Sequence, residues 1–344
     1  MDNFSKLLPW PVGFELEWAQ GTIPSRSTPT REVARVLRDH GLGVHDAERW
    51  RRTPQSLTHW DIKTDSSCGY EACSPVIETY DELAKACSGV HLIEASGAAR
   101  ITRSCGLHVH VGIGSAMSPE VLESVIKFLY RYEAAFYLIV PDYRRVNRYC
   151  RPINVAVVDA VRKNRGDVEI ASIWGSKDTW VNFIPLGRIG TVEFRFMEGT
   201  LSAATVYAYC LFLSFVMDVL IRGAKNGRWG RASAKDDWML FYTMLQQCGM
   251  YGRITNDKVV IARKWASHRF RLFNPNSKRG DGGGVSTVLQ PTDTHFTVHD
   301  LDALCMDLGH STISNSSRFT VVHTTDDITY TSSSLGFVNA DSYI

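Results

Sequence analysis

Three short segments carry side chains that could do chemistry, and each sets them at alternate positions. In Gly13-Phe14-Glu15-Leu16-Glu17-Trp18 the two-residue period of a strand puts both carboxylates on one face and Phe14, Leu16 and Trp18 on the other. Leu107-His108-Val109-His110-Val111 repeats the design with two imidazoles, and Gly106 and Gly112 beside them permit close backbone approach. In Thr191-Val192-Glu193-Phe194-Arg195-Phe196, Thr191, Glu193 and Arg195 share one face. Taken alone, Glu-x-Glu is also the pattern of a solvated strand face, and His-x-His that of two ordinary histidines. Glu193 and Arg195 stand at i and i+2, a spacing read here as too wide for a tight ion pair, so separate partners are expected for them.

Two further acidic segments lie between these. Trp60-Asp61-Ile62-Lys63-Thr64-Asp65 and Tyr70-Glu71-Ala72-Cys73-Ser74-Pro75 again place acids at alternate strand positions. Glu71 is the preferred further ligand, whereas Asp65-Ser66-Ser67 before Gly69 reads equally well as turn chemistry. Five short strands with an apolar back and an acidic or imidazole front imply one sheet with a charged face, and so many like charges need cations. Carboxylates outnumber imidazoles, which favours Mg²⁺ or Mn²⁺ over zinc. Magnesium commonly bridges triphosphate oxygens, and Arg195 beside Glu193 could neutralise charge on a transferring phosphoryl group. The chain has neither a P-loop nor a kinase glycine loop, so phosphate must be held differently. Arg144, Arg145 and Arg148 in the run 141–150 could grip phosphate or carboxylate; a basic helix end would look the same.

The elements that must position these groups are legible from period and punctuation. Alternating runs fall at 12–18, 57–65, 69–76, 106–112 and 190–197, with helical patterns between them, which argues for an α+β fold. Thr30 is expected to cap a helix reaching His40, with Gly41 as its stop, and Ser118-Pro119-Glu120 opens a second. Further helices are expected near 79–97, 153–163, 201–224 and 234–248, the last capped by Ser233. The apolar stretch from Leu201 to Ile221 carries Ser202, Thr205, Tyr207, Tyr209, Ser214 and Asp218 and reads as a buried helix in place of a membrane span. Past about 250 the character changes: Gly280 to Gly284 suggests a mobile loop, and 319–322 and 328–330 read as short strands.

Composition bounds the function. The 344 residues are 44% apolar, and 38 Lys and Arg against 36 Asp and Glu leave a net charge of +2, which does not call for a nucleic-acid partner. The eight cysteines are scattered without a CxxC pair, and the first residues lack the pattern of a secretory signal, so a cytoplasmic protein with reduced thiols is expected. The sequence is compatible with an oligomer and calls for no membrane partner.

In order, Gly13 to Glu17, Glu71 to Pro75, Ser104-Cys105-Gly106-Leu107-His108-Val109-His110-Val111-Gly112, Arg144 to Asn147, and Thr191 to Arg195 with Gly199-Thr200-Leu201 closely resemble the amidoligase family. That family belongs to the carboxylate-amine ligase superfamily with glutamine synthetase and glutamate-cysteine ligase. The resemblance covers roughly residues 10–220 and implies a glutamine-synthetase-like curved antiparallel sheet with flanking helices. It implies one metal site at Glu15, His108 and Glu193 and another at Glu17 and Glu71. His110, Arg144, Arg145 and Asn147 would contact nucleotide or substrate, and Arg195 would stabilise the transition state with Glu193 beside it. The implied cofactors are ATP and Mg²⁺ or Mn²⁺. The implied reaction joins a small-molecule or peptide carboxylate to an amine through an acyl phosphate. Where the family tends to carry an Arg-Tyr pair before an Asn, this chain has Lys177-Asp178-Thr179-Trp180-Val181-Asn182. A catalytic domain over 1–225 and a helical and β-rich extension over 226–344 follow from the extent of the resemblance.

Two other classes use parts of this pattern. A cupin needs a Glu four or five positions after the second histidine, where this chain has Gly114 and Ser115. An amidohydrolase, as a metal-dependent hydrolase, places His-x-His near the start of a barrel, whereas acidic strands precede it here. A non-catalytic binding or structural protein reusing the fold is the remaining alternative. Retention of Glu15, Glu17, His108, Glu193 and Arg195 together argues against it.

Overall fold

The computed structural model describes residues 6–24, 27–45, 58–114, 118–163, 174–225, 236–251, 256–275 and 277. The glycine-rich loop expected at 280–284, the strands expected at 319–322 and 328–330, and Ser233 lie outside the described residues. The strands are β1 (Leu7–Gln20), β2 (Asp61–Asp65), β3 (Gly69–Cys73), β4 (Ile77–Thr79), β5 (Ala99–Arg100), β6 (Gly106–Gly112), β7 (Val181–Asn182) and β8 (Thr191–Glu198). The longer helices are α1 (Pro29–Asp39), α2 (Tyr80–Ala95), α3 (Pro119–Tyr137), α5 (Val155–Lys163), α7 (Ala203–Lys225), α8 (Asp237–Gln247) and α9 (Asp257–Phe273), with single turns α4 (Asp142–Arg145) and α6 (Leu186–Ile189).

Alternation builds the sheet. The strands run in the order β2-β3-β1-β6-β8-β7, with β4 and β5 also pairing β1, and these pairings are antiparallel. Phe14, Leu16 and Trp18 from β1, Leu107, Val109 and Val111 from β6, and Val192 and Phe194 from β8 are all buried. Helix α7 packs against this apolar back at β1 and β6, with α2 and α3 beside it. The expected α+β architecture, an antiparallel sheet with flanking helices, is therefore the one formed.

Helix α7 is long and apolar enough to cross a membrane, yet 89% of that stretch is buried inside the protein. A helix apolar on all sides needs cover on all sides. Part of it comes from α9, where Trp265 sits 5.5 Å from Tyr209 and 5.8 Å from Phe212, centroid to centroid. Helix α8 packs on α3, and Phe241 stacks on Phe270 of α9 at 4.7 Å. Elements beyond residue 225 thus complete the same hydrophobic core.

Two caps differ from the sequence expectation. Helix α1 is capped by Thr28, whose hydroxyl accepts from Arg31 N. Pro29 is pre-organised for the first helical position and has no N–H to lose, so the cap falls one residue before it and not at Thr30. Gly41, at φ 76°, does end the helix, in a left-handed conformation that a side chain would disfavour. Helix α8 is capped by Asp236, which accepts from Met239 N at 2.8 Å. Ser118 caps α3 with Pro119 in the first turn, as expected.

The short edge strand β7 is held by Trp180, which is fully buried. It packs 5.0 Å from Phe136 and edge-on to Phe196 at 5.3 Å. Its Nε1 donates to Glu133 Oε2 at 2.7 Å, and the Ile153 amide donates to the same oxygen at 2.6 Å. Burial nonetheless pushes the Glu133 carboxyl up to about 7, from an ordinary 4.5. A carboxyl raised in this way holds its proton more tightly folded than unfolded. Its contribution to stability is full below its unfolded pKa and is lost as pH rises through about 7. Glu133→Gln, which keeps an acceptor oxygen and cannot ionise, is expected to flatten the fall in stability across that window. Thermal unfolding at successive pH values measures it, and an unchanged slope would contradict the assignment.

Candidate active site

Register lays the polar side chains out in rows across the sheet. One row runs Asp61, Cys73, Glu15, His108 across β2, β3, β1 and β6; the next runs Lys63, Glu71, Glu17. A third runs Gly13, His110, Glu193, Asn182 across β1, β6, β8 and β7. The rows are what strand alternation requires once the apolar faces share one core.

Glu15, His108 and Glu193 converge where the first and third rows meet. His108 Nδ1 lies 3.2 Å from Glu15 Oε2 and 3.6 Å from Glu193 Oε1. One ligand-type atom from each of the three lies within 4.8 Å of the others. His110 Nε2 stands 3.4 Å from Glu15 Oε1 and 3.9 Å from Glu193 Oε1, while its Nδ1 lies 3.0 Å from the Thr191 hydroxyl. Burial opposes charge on Glu15, but hydrogen bonds and charge from His108 and His110 outweigh it and hold its carboxyl well below the usual range. Burial likewise opposes protonation of His110, and Glu15 and Glu193 overcome it and raise its pKa.

Arg195 closes this cluster. Its Nη1 hydrogen-bonds Glu193 Oε1, contrary to the expectation that i and i+2 residues stand too far apart. A guanidinium on a long flexible stem can fold back along its own strand, which backbone spacing alone does not capture. The strand is also irregular here. Val109 pairs with Phe194 but Leu107 with Met197, so an extra residue of β8 sits opposite His108. Such a bulge re-aims side chains. Asn182 Nδ2 donates to Glu193 Oε2 at 2.7 Å, so both oxygens of Glu193 are oriented by neighbours. Burial works to lower the Arg195 pKa, but Glu193, Glu15 and Glu17 raise it. Its Nε is buried without a hydrogen-bond partner among the described residues.

In the second row Glu17 and Glu71 stand opposite each other on β1 and β3. Glu17 Oε2 accepts from Gly106 N at 2.6 Å, and Oε1 lies 3.6 Å from His108 Nε2. Its ligand-type neighbours are Asp65 and Cys68, whereas Glu71 groups with Glu15 and Cys73. Glu71 Oε1 receives Lys63 Nζ at 2.7 Å and the Cys73 thiol at 2.9 Å. A Cβ at Gly106 would stand 2.9 Å from His108 Nε2, 3.1 Å from an Arg144 guanidinium nitrogen and 3.3 Å from Glu17 Oε2. A residue without a side chain is therefore needed for these three to meet.

Of the basic group, Arg144 is buried beneath β8 and donates to the carbonyls of Phe196 at 3.3 Å and Arg195 at 2.7 Å. It thereby fixes the bulged backbone that carries Arg195. Arg145 donates to the carbonyls of Tyr137 and Val140 and to Asn274 Oδ1 and pairs with Asp142. Asn147 Oδ1 accepts from Tyr149 N at 2.8 Å. Lys63 and Asn182 join the site through register, which sets Lys63 opposite Glu71 and Asn182 opposite Glu193; spacing along the sequence does not mark either.

The donor set suits a hard divalent cation. Two carboxylates and an imidazole converge, with His110 Nε2 a further 3.4 Å from Glu15 Oε1. Oxygen-rich coordination of this kind fits Mg²⁺ or Mn²⁺.

The sheet thus gathers carboxylates, imidazoles and the partly buried Arg195 guanidinium on one face. Residues 8–217 match the family model described as "Putative amidoligase enzyme". The chain belongs to this amidoligase family, a class of amide-bond-forming ligases. No curated protein matches it in sequence. Among solved structures it is similar to a chain in "Crystal structure of the complex between Prokaryotic Ubiquitin-like Protein Pup and its Ligase PafA", at 9% identity and a TM-score of 0.34, over 89% of this chain and 63% of that one. The chain thus spans less than two thirds of that relative's length, and so remote a likeness does not bear on substrate.

Proposed function

We propose that this chain is an ATP-dependent carboxylate-amine ligase that forms an amide through an acyl phosphate. The observation that carries the reading is the convergence of Glu15, His108, His110 and Glu193 under the Arg195 guanidinium on one sheet face. In the proposed reaction a substrate carboxylate oxygen attacks the γ-phosphorus of ATP and ADP leaves. The amine nitrogen then attacks the acyl carbon, losing a proton, and phosphate departs with that carboxylate oxygen.

A divalent ion at Glu15, His108 and Glu193 would neutralise phosphate oxygens as charge shifts to the leaving group. The remaining chemistry belongs to the chain. Asn182 and Arg195 orient Glu193, and Arg144 holds the backbone of Arg195. The Arg195 Nε–H, buried and unpartnered among the described residues, is available to an oxygen of the transferring phosphoryl group. His110 shares the face and is assigned to nucleotide or substrate contact, and Glu17 and Glu71 lie beside the cluster, buried on the same sheet face. We assign catalysis to residues 1–225, with 226–344 as an extension whose helices α8 and α9 cover the core.

The test is ADP release from Mg²⁺-ATP with pooled carboxylates and amines. Release that requires both pools supports the reading. A folded protein that binds no ATP in calorimetry with Mg²⁺ or Mn²⁺ contradicts it.

A further inference from the structure

The second row of the sheet contains its own cation. Lys63, Glu71 and Glu17 are consecutive across β2, β3 and β1, so register alone brings the ammonium to the carboxylates. Lys63 Nζ lies 2.7 Å from Glu71 Oε1, and the Cys73 thiol donates to the same oxygen at 2.9 Å. With two donors on it, that oxygen has little capacity left for a divalent ion, which needs unshared carboxylate lone pairs. Glu17 is likewise engaged, through Gly106 N. Three carboxylates, Glu15, Glu17 and Glu71, crowd this part of the face and would repel without a positive charge among them.

We propose that Lys63 is a built-in cation standing in place of a second divalent ion. It removes Glu71 from the ligand set and leaves Glu15, His108 and Glu193 as the ion site that Glu71 would otherwise adjoin. This rests on the reading that those three residues bind a divalent ion, and it narrows the two-ion arrangement that the family resemblance implies. Its consequence is specificity of charge: a fixed ammonium neutralises the Glu71 end of the site at every metal concentration, whereas an exchangeable ion would not.

Counting bound Mn²⁺ by the loss of its free-ion paramagnetic resonance signal tests this on the full chain without nucleotide. Wild type is expected to bind one ion, Lys63→Met two, and Lys63→Arg one, because arginine keeps the charge. The double variant Lys63→Met with Glu71→Gln should return to one. Two ions on wild type, or one on a Lys63→Met protein shown folded by circular dichroism, would overturn the proposal and leave the ligase reading standing. No ion on wild type would remove the first site too, and with it both readings.

Discussion

Replacing Arg195 by alanine is expected to lower ATP-coupled turnover by about 100- to 1,000-fold, the range for removing a pre-organised donor from a developing oxyanion. The effect should fall on kcat more than on KM, because a group that meets charge formed in the transition state does little for ground-state binding. Arg195 is held by its own neighbours: Glu193 takes Nη1, and its amide donates to the Trp180 carbonyl at 2.7 Å. Truncation also leaves Glu193 without its main buried counter-charge. Steady-state kinetics and a thermal melt on the same sample separate the two consequences, and Arg195→Lys should recover only part of the rate because an ammonium lacks the planar fork. Unchanged kcat in Arg195→Ala would remove the arginine from the chemistry.

Glu15→Gln is expected to weaken Mn²⁺ binding by about 100-fold or more, since loss of even an outer-shell partner costs 10- to 100-fold. Glu15 is the carboxylate nearer to both histidines, at 3.2 Å from His108 and 3.4 Å from His110, against 3.6 and 3.9 Å for Glu193. Its depressed carboxyl and the raised His110 are two sides of that contact. The substitution should therefore also lower the pKa of His110, an effect visible in its imidazole resonances and independent of any activity. Unaltered Mn²⁺ affinity with a shifted His110 would mean that the three residues form only a charge network.

Much of this site could be read from the sequence because strand alternation is a rigid rule. Once Phe14, Leu16 and Trp18 are assigned to the core, Glu15 and Glu17 must face the other way, and the same holds for His108 with His110. The parts that escaped depend on properties that alternation does not encode. The extra residue of β8 opposite His108 has no local marker such as glycine in the run Thr191 to Glu198. The Glu193–Arg195 contact depends on side-chain length, and the spacing rule considered only backbone separation. Lys63 looks like an ordinary solvent-facing lysine until register sets it beside Glu71. Helix α9 escaped because its polar residues mask a regular stripe of Ala262, Trp265, Ala266 and Phe270, all buried, behind an Asn256 cap that accepts from Lys258 N at 2.9 Å.

In the proposed reaction a substrate carboxylate becomes phosphorylated before the amine attacks. Transfer of ¹⁸O reads that step: a carboxylate identified by ADP release is labelled at both oxygens and turned over with ATP and its amine, and the phosphate is analysed by mass. One ¹⁸O per phosphate formed, with ADP as the nucleotide product, is the predicted result. Unlabelled phosphate, or label appearing in AMP, would contradict the acyl phosphate and the roles assigned to Arg195 and Glu193 with it.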